Sequence, residues 1–135
     1  KLDGHKFEQF TITDGKAAWY RNRYVQTPLH VAKEDLGVPG KADNQSNVAL
    51  VHHGGKLLTT GEVGWPFELS TKDLSTVGAW DFGGKLTSAM TAHPKMDPET
   101  GEMLFFGYAP FPPYLVYHVA DASGAPGPAR VAAPV

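Results

Sequence analysis

Turn signals recur along this chain at short, regular intervals, and they leave room between them for strands and little else. Asp14-Gly15, Gly54-Gly55, Thr71-Lys72-Asp73, Asp97-Pro98-Glu99-Thr100-Gly101 and the Ala-Ser-Gly-Ala-Pro-Gly stretch at 122–127 each separate two apolar or alternating runs. Glycine supplies the backbone freedom a tight turn needs, and proline cannot donate to a strand ladder. The alternating run Phe7–Ile12 therefore returns as Ala17–Val25, and Asn47–His53 returns as Lys56–Thr60. Phe67–Leu69 pairs with Ser75–Phe82, and a strand ending at Ala92-His93-Pro94 returns as Met103–Tyr108. Tyr114–Val119 precedes a last run, Ala129–Val135. Between Gln26 and Ser46 the pattern fades into a connecting loop, with one helical turn expected near Val31-Ala32-Lys33-Glu34.

The expected fold class is all-β, with antiparallel strands. Strands joined this way in sets of four make the blades of a β-propeller, and the count suffices for about two blades. Fifteen glycines and eleven prolines in 135 residues fit that reading better than a helical bundle. The length suits a single domain or part of a larger one. Twelve basic residues are scattered among fourteen acidic ones, so no basic face for nucleic acid is expected. No apolar run approaches the ~20 residues of a membrane span, and no signal peptide is recognised. Without cysteine there is no disulfide and no thiolate metal site, which suits a reducing cytosol, and the expected location is cytoplasmic.

One histidine stands where chemistry could meet it. His93 closes an apolar run and precedes a proline-bounded turn, so it is delivered to the end of a sheet. A lone histidine beside a turn is by itself most often a surface or capping residue. His52 and His53 are adjacent on a strand and point to opposite faces, so they cannot serve one metal. His118 reads as a sheet-face residue, and His5 and His30 lie in weakly patterned segments. No pair has a metal-binding spacing, and no Gly-x-Ser-x-Gly or phosphate-binding loop competes.

The words around His93 carry more. Trp80–Leu86, Met90–Lys95, Asp97–Glu102, Phe106–Tyr108 and Pro113–Leu115 together resemble the carotenoid cleavage oxygenase family, which includes the retinal pigment epithelial membrane proteins. The resemblance extends back through Asn47–Leu69 to Tyr20–Val25. It implies a seven-bladed propeller of which residues 1–135 form one partial domain, the N-terminal portion. It further implies a ferrous iron held by four histidines, with His93 as one ligand. Imidazoles suit ferrous iron and leave positions open for oxygen. Glu62, before Trp65-Pro66-Phe67, is implied as the carboxylate that accepts the free ring N–H of an iron-bound histidine and fixes its tautomer. The expected partner of Glu62 is a later histidine that this chain lacks.

The implied reaction splits a conjugated C=C bond of an apolar polyene, a carotenoid or apocarotenoid, with O2 into two carbonyl products. Gly61 stands where the stilbene-cleaving branch has a lysine, which leans away from a phenolic stilbene. A polyene partitions into lipid, which admits peripheral membrane contact, though no amphipathic patch is clear enough to name. The aromatic side chains are expected to pack in the core more often than to serve a site, with some free to line an apolar tunnel for a long polyene. Arg21 and Arg23 are read as a solvated strand face. One ligand does not make a metal site. A non-catalytic propeller fragment or binding module is therefore the alternative.

Overall fold

The structure is a computed structural model that describes residues 6–32, 45–125, 127 and 130–131. The described residues form three antiparallel sheets with one short helix, as the turn pattern predicts. β1 (Lys6–Thr13) and β2 (Lys16–Tyr24) pair as a hairpin across Asp14-Gly15. α1 (Pro28–Ala32) is the helical turn of the connecting loop, beginning three residues earlier than expected, and residues 33–44 lie outside the described ones.

A four-stranded meander follows: β3 (Ala49–His53), β4 (Lys56–Thr60), β5 (Phe67–Leu69) and β6 (Thr76–Ala79), in that spatial order. A second meander comprises β7 (Lys95–Met96), β8 (Met103–Tyr108), β9 (Leu115–Ala120) and β10 (Arg130–Val131). Two four-stranded antiparallel units are the two blades the strand count called for. β3 lies at one edge of its sheet and β6 at the other, and β7 and β10 are the edges of the second sheet.

The two sheets pack on each other through the inward side of the strand alternation. Met103 and Phe105 of β8 and Ala120 of β9 face Val51 of β3 and Leu58 of β4, with Phe82, Leu86 and Met90 between them. Burying each large side chain of this set is worth about 1.5–3 kcal/mol. Phe82 and Phe105 stack at 5.4 Å, and Trp65 and Trp80 close the edge of the cluster. The opposite side of the first sheet is covered by Val25 on Phe67, Leu69 and Leu57. At the hairpin ends the sheets are fitted closely: a Cβ on Gly54 would stand 2.6 Å from both Cα of Gly124 and the carbonyl oxygen of Ser123. Its φ of 55° also belongs to the tight turn.

Two expectations change. Arg21 and Arg23 are not just a solvated face: Arg21 Nη1 donates to the Lys72 carbonyl at 2.9 Å, and Arg23 Nε to that of Asp73 at 2.8 Å. They dock the first hairpin on the β5–β6 turn, a contact fifty residues away in sequence and so invisible to local pattern. The aromatic set also divides. Phe67, Phe82 and Phe105 are buried, whereas Phe106, Tyr108 and Tyr117 occupy the outward positions of β8 and β9, and Phe111 and Tyr114 lie in the exposed connection between them. Alternation decides this, not hydrophobicity.

The β5–β6 turn offers a pH test. The Ser75 hydroxyl and N–H both donate to Asp73 Oδ1, at 2.7 and 3.1 Å. These bonds to Ser75 hold the carboxyl at about 2, below its ordinary 3.8. A depressed carboxyl stabilises the fold above its ordinary range, and that contribution is lost as pH falls from 3.8 toward about 2. In Ser75→Ala the hydroxyl bond is gone, so the Asp73 midpoint is expected to move up, read from the Asp73 carboxyl carbon in an NMR titration. An unchanged midpoint would contradict this.

Candidate metal-ligand site

Residues 86–94 do not form the strand expected before the turn. They run between the two sheets and take backbone partners from each in turn. Met90 N–H donates to Gly64 O at 3.0 Å on the first sheet's side, and Thr91 N–H to Phe106 O at 2.8 Å on the second. The Thr60 hydroxyl donates to Ala92 O at 3.2 Å. Ala89, Met90, Thr91 and Ala92 are buried by this arrangement. A single-partner ladder cannot form here, because Pro94 has no N–H and the buried side chains plug the space between sheets. β7 starts only after the proline, so His93 precedes its strand instead of ending one. The turn itself is as expected. Asp97 Oδ1 accepts from the N–H of Glu99 and of Thr100, which pulls the Asp97 carboxyl below its ordinary range, the Thr100 bond contributing most.

His93 emerges from this buried segment into solvent, its side chain 65% exposed. Glu62 leaves β4 just beyond Thr60, and its Oε1 stands 3.1 Å from Nε2 of His93. The two residues singled out in the sequence are therefore brought together directly. Within this chain the histidine that Glu62 meets is His93. Because Nε2 faces the carboxylate, a metal held by His93 would have to take Nδ1 or displace Glu62. An exposed pair of this kind adds only about 0–1 kcal/mol to stability.

Tyr108, the last residue of β8, reaches the other carboxylate oxygen: its hydroxyl is 3.5 Å from Glu62 Oε2. Desolvation of the phenol, then the Glu62 charge and this contact, hold the Tyr108 hydroxyl above its ordinary range. Beside the pair lies an open groove of about 390 Å³ between edge strand β3 and residues 92–96. Leu50, His52, Ala92, His93, Pro94 and Met96 line it. Its volume lies within the range of small-molecule sites, ~300–1,000 Å³.

Sequence reasoning set Tyr108 and His52 aside as packing and structure. The signals that could have found them are positional: Tyr108 ends an alternating strand on its outward side, and His52 is the outward residue of an edge strand. Of the other histidines, His53 is buried with Nε2 3.0 Å from Gly101 O. His30 stacks on Tyr24 at 4.9 Å, and His118 is buried in the second sheet. His5 lies outside the described residues.

The donor set defines how far a metal fits. Among the described residues no group of three or more His, Asp or Glu side chains is placed to hold an ion. One imidazole supported by one carboxylate fits a single corner of a non-haem iron centre and no more.

Comparison with known proteins extends these observations. The sequence model described as retinal pigment epithelial membrane protein matches residues 3–134. The chain is 45% identical over 117 residues to the carotenoid 9,10(9',10')-cleavage dioxygenase 1 of Arabidopsis thaliana, covering 82% of this chain and 21% of that protein. It is 39% identical over 109 residues to the isoeugenol monooxygenase of Pseudomonas nitroreducens, covering 78% of this chain and 21% of that protein. The chain thus spans about a fifth of the length of these relatives. Among solved structures, the lignostilbene dioxygenase of Pseudomonas brassicacearum superposes with a TM-score of 0.77 at 29% identity, over 92% of this chain and 30% of that one. A variant of the Synechocystis apocarotenoid oxygenase gives 0.75 at 21% identity, over 93% and 32%, a likeness of fold alone.

Proposed function

The chain belongs to the retinal pigment epithelial membrane protein family, and on that premise we propose that it supplies one histidine ligand, His93, to a non-haem ferrous iron centre of a C=C-cleaving oxygenase. The observation that carries the reading is the His93–Glu62 contact of 3.1 Å at the mouth of a groove between two sheet edges. Glu62 holds the imidazole's orientation by accepting its ring N–H, and Tyr108 steadies the second carboxylate oxygen. The remaining iron ligands belong to residues beyond the two donors described here, within a seven-bladed propeller of the kind the sequence resemblance implies. Iron, when bound, supplies the binding and activation of O2.

The substrate we propose is a conjugated alkene, a carotenoid or apocarotenoid. In the overall reaction both atoms of O2 enter the products, and one C=C becomes two C=O groups. Leu50, Ala92, Pro94 and Met96 give the groove an apolar lining suited to a polyene. A second substrate class has its own support: the isoeugenol monooxygenase and lignostilbene dioxygenase likenesses favour a phenolic alkene, against which Gly61 offers no cationic side chain. The test is product analysis by the protein that carries this chain, under O2, with an apocarotenoid and with isoeugenol in parallel. Two carbonyl fragments from the apocarotenoid alone is the expected result. Turnover of isoeugenol alone would transfer the proposal to the second class, and turnover of neither would favour a non-catalytic module.

The cytoplasmic location remains part of the proposal, with reversible contact to a membrane from which the substrate is drawn. Among the described residues no helix is long and apolar enough to cross a membrane. Phe111 and Tyr114, 75% and 64% exposed in the β8–β9 connection, offer an apolar tip for such contact. Phe111→Ser with Tyr114→Ser is expected to lower sedimentation with phosphatidylcholine vesicles severalfold. Equal sedimentation would remove this loop from the proposal.

A further inference from the structure

We propose that His118 and Ser88 form a buried latch that sets the position of the segment carrying His93, making His118 a positioning residue for the His93–Glu62 pair. His118 points inward from β9, is 2% exposed and stacks on Phe105 at 5.0 Å with the rings 14° apart. Its Nε2 lies 2.8 Å from Ser88 Oγ. The Ser88 hydroxyl stands 2.8 Å from Ala89 O, and in the proposed latch it donates there while His118 donates to it from Nε2. The result is a chain of donors, from imidazole to hydroxyl to carbonyl, that ends on the backbone of the segment.

That segment has little freedom once Ser88 and Ala89 are placed. Both press against Gly107, where any Cβ would run into Ala89 O and the Ser88 side chain. From there Met90 N–H reaches Gly64 O, only two residues past Glu62, and the Thr60 hydroxyl takes Ala92 O. His93 N–H then donates to Thr91 Oγ1 at 3.3 Å. The register of the segment against the first sheet is therefore the register of His93 against Glu62. Phenylalanine could make the stack on Phe105 but not the donated bond; glutamine could make the bond but not the stack. Burial also holds the His118 imidazole below its ordinary range, which keeps it in the neutral form the latch needs.

The inference rests on reading His93 as the functional group, but its test uses no iron, so failed metal binding would sink that reading and leave this one standing. In the full chain with 15N-labelled histidine, long-range 1H–15N spectra read the tautomer of each ring. The expected result is His118 as the neutral Nε2–H form, with one sharp set of His93 ring signals. Ser88→Ala and His118→Phe, checked as folded by circular dichroism, are expected to broaden or double the His93 signals. His118→Gln is expected to restore a single set. An Nδ1–H tautomer at His118 would overturn the latch, and so would native His93 signals in folded Ser88→Ala. If His118→Phe does not fold, the native tautomer and Ser88→Ala decide the matter alone.

Discussion

Gly107→Val is expected to lower the urea midpoint by about 1 M or more and to disorder the approach of residues 86–93 to the second sheet. The reason is the closeness of two backbones. Gly107 sits inward on β8, directly under Ala89 O and Ser88, and a Cβ there has no space. Neither obstacle is the far end of a flexible side chain, because Ala89 O is held by Ser88 Oγ and its neighbour Met90 N by Gly64 O. Overpacking a well-fitted core costs about 1–3 kcal/mol and more where backbone must move. With a slope of about 1–3 kcal/mol per molar urea for a small domain, that loss is readily measured. The comparison substitution is Tyr108→Phe, one residue further on and outward, where one long 3.5 Å contact to Glu62 is removed and stability is expected to stay within about 0.5 kcal/mol of native. Equal midpoints for Gly107→Val and native protein would contradict the packing described between β8 and the His93 segment.

The second large effect concerns chemistry. In the protein that carries this chain, His93→Ala is expected to reduce C=C cleavage by at least ~1,000-fold, because the proposed assignment makes His93 a ligand of the iron that would activate O2. Glu62→Gln is expected to be milder, about 10–100-fold, the usual cost of removing the group that orients a ligand. The amide keeps the shape but accepts the ring N–H less well. The ordering is the informative result, since two exposed residues with only surface roles would leave cleavage unchanged. Both variants are expected to melt within a few degrees of native protein, because the pair they break is solvent-exposed.

Turn chemistry and alternation carried most of the fold. Asp14-Gly15, Gly54-Gly55 and Asp97–Gly101 each became the turn expected, and Met103, Phe105 and Gly107 faced inward against Leu104, Phe106 and Tyr108. Local pattern failed where backbone bonds leave the ladder. Residues 86–92 looked like a strand because Leu86, Ala89, Met90 and Ala92 lead toward a proline, but these side chains are buried where the segment runs between two sheets. The docking of Arg21 and Arg23 on residues 72 and 73 depends on the path of the chain, which no window of neighbouring residues contains. At the candidate site, the resemblance nominated His93 and Glu62 separately. Their contact is a product of the Met90–Gly64 and Thr60–Ala92 tie points, and only the folded chain holds both. His118 likewise read as a sheet-face residue, which it is; its bond to Ser88 needed the segment's unexpected course.

The most direct test is ferrous iron per polypeptide after anaerobic reconstitution, measured on the protein that carries this chain and on its His93→Ala and Glu62→Gln variants. About one iron in the native protein, little or none in His93→Ala, and weakened retention in Glu62→Gln is the expected pattern. Full iron retention in folded His93→Ala would contradict the assignment of His93 as a ligand.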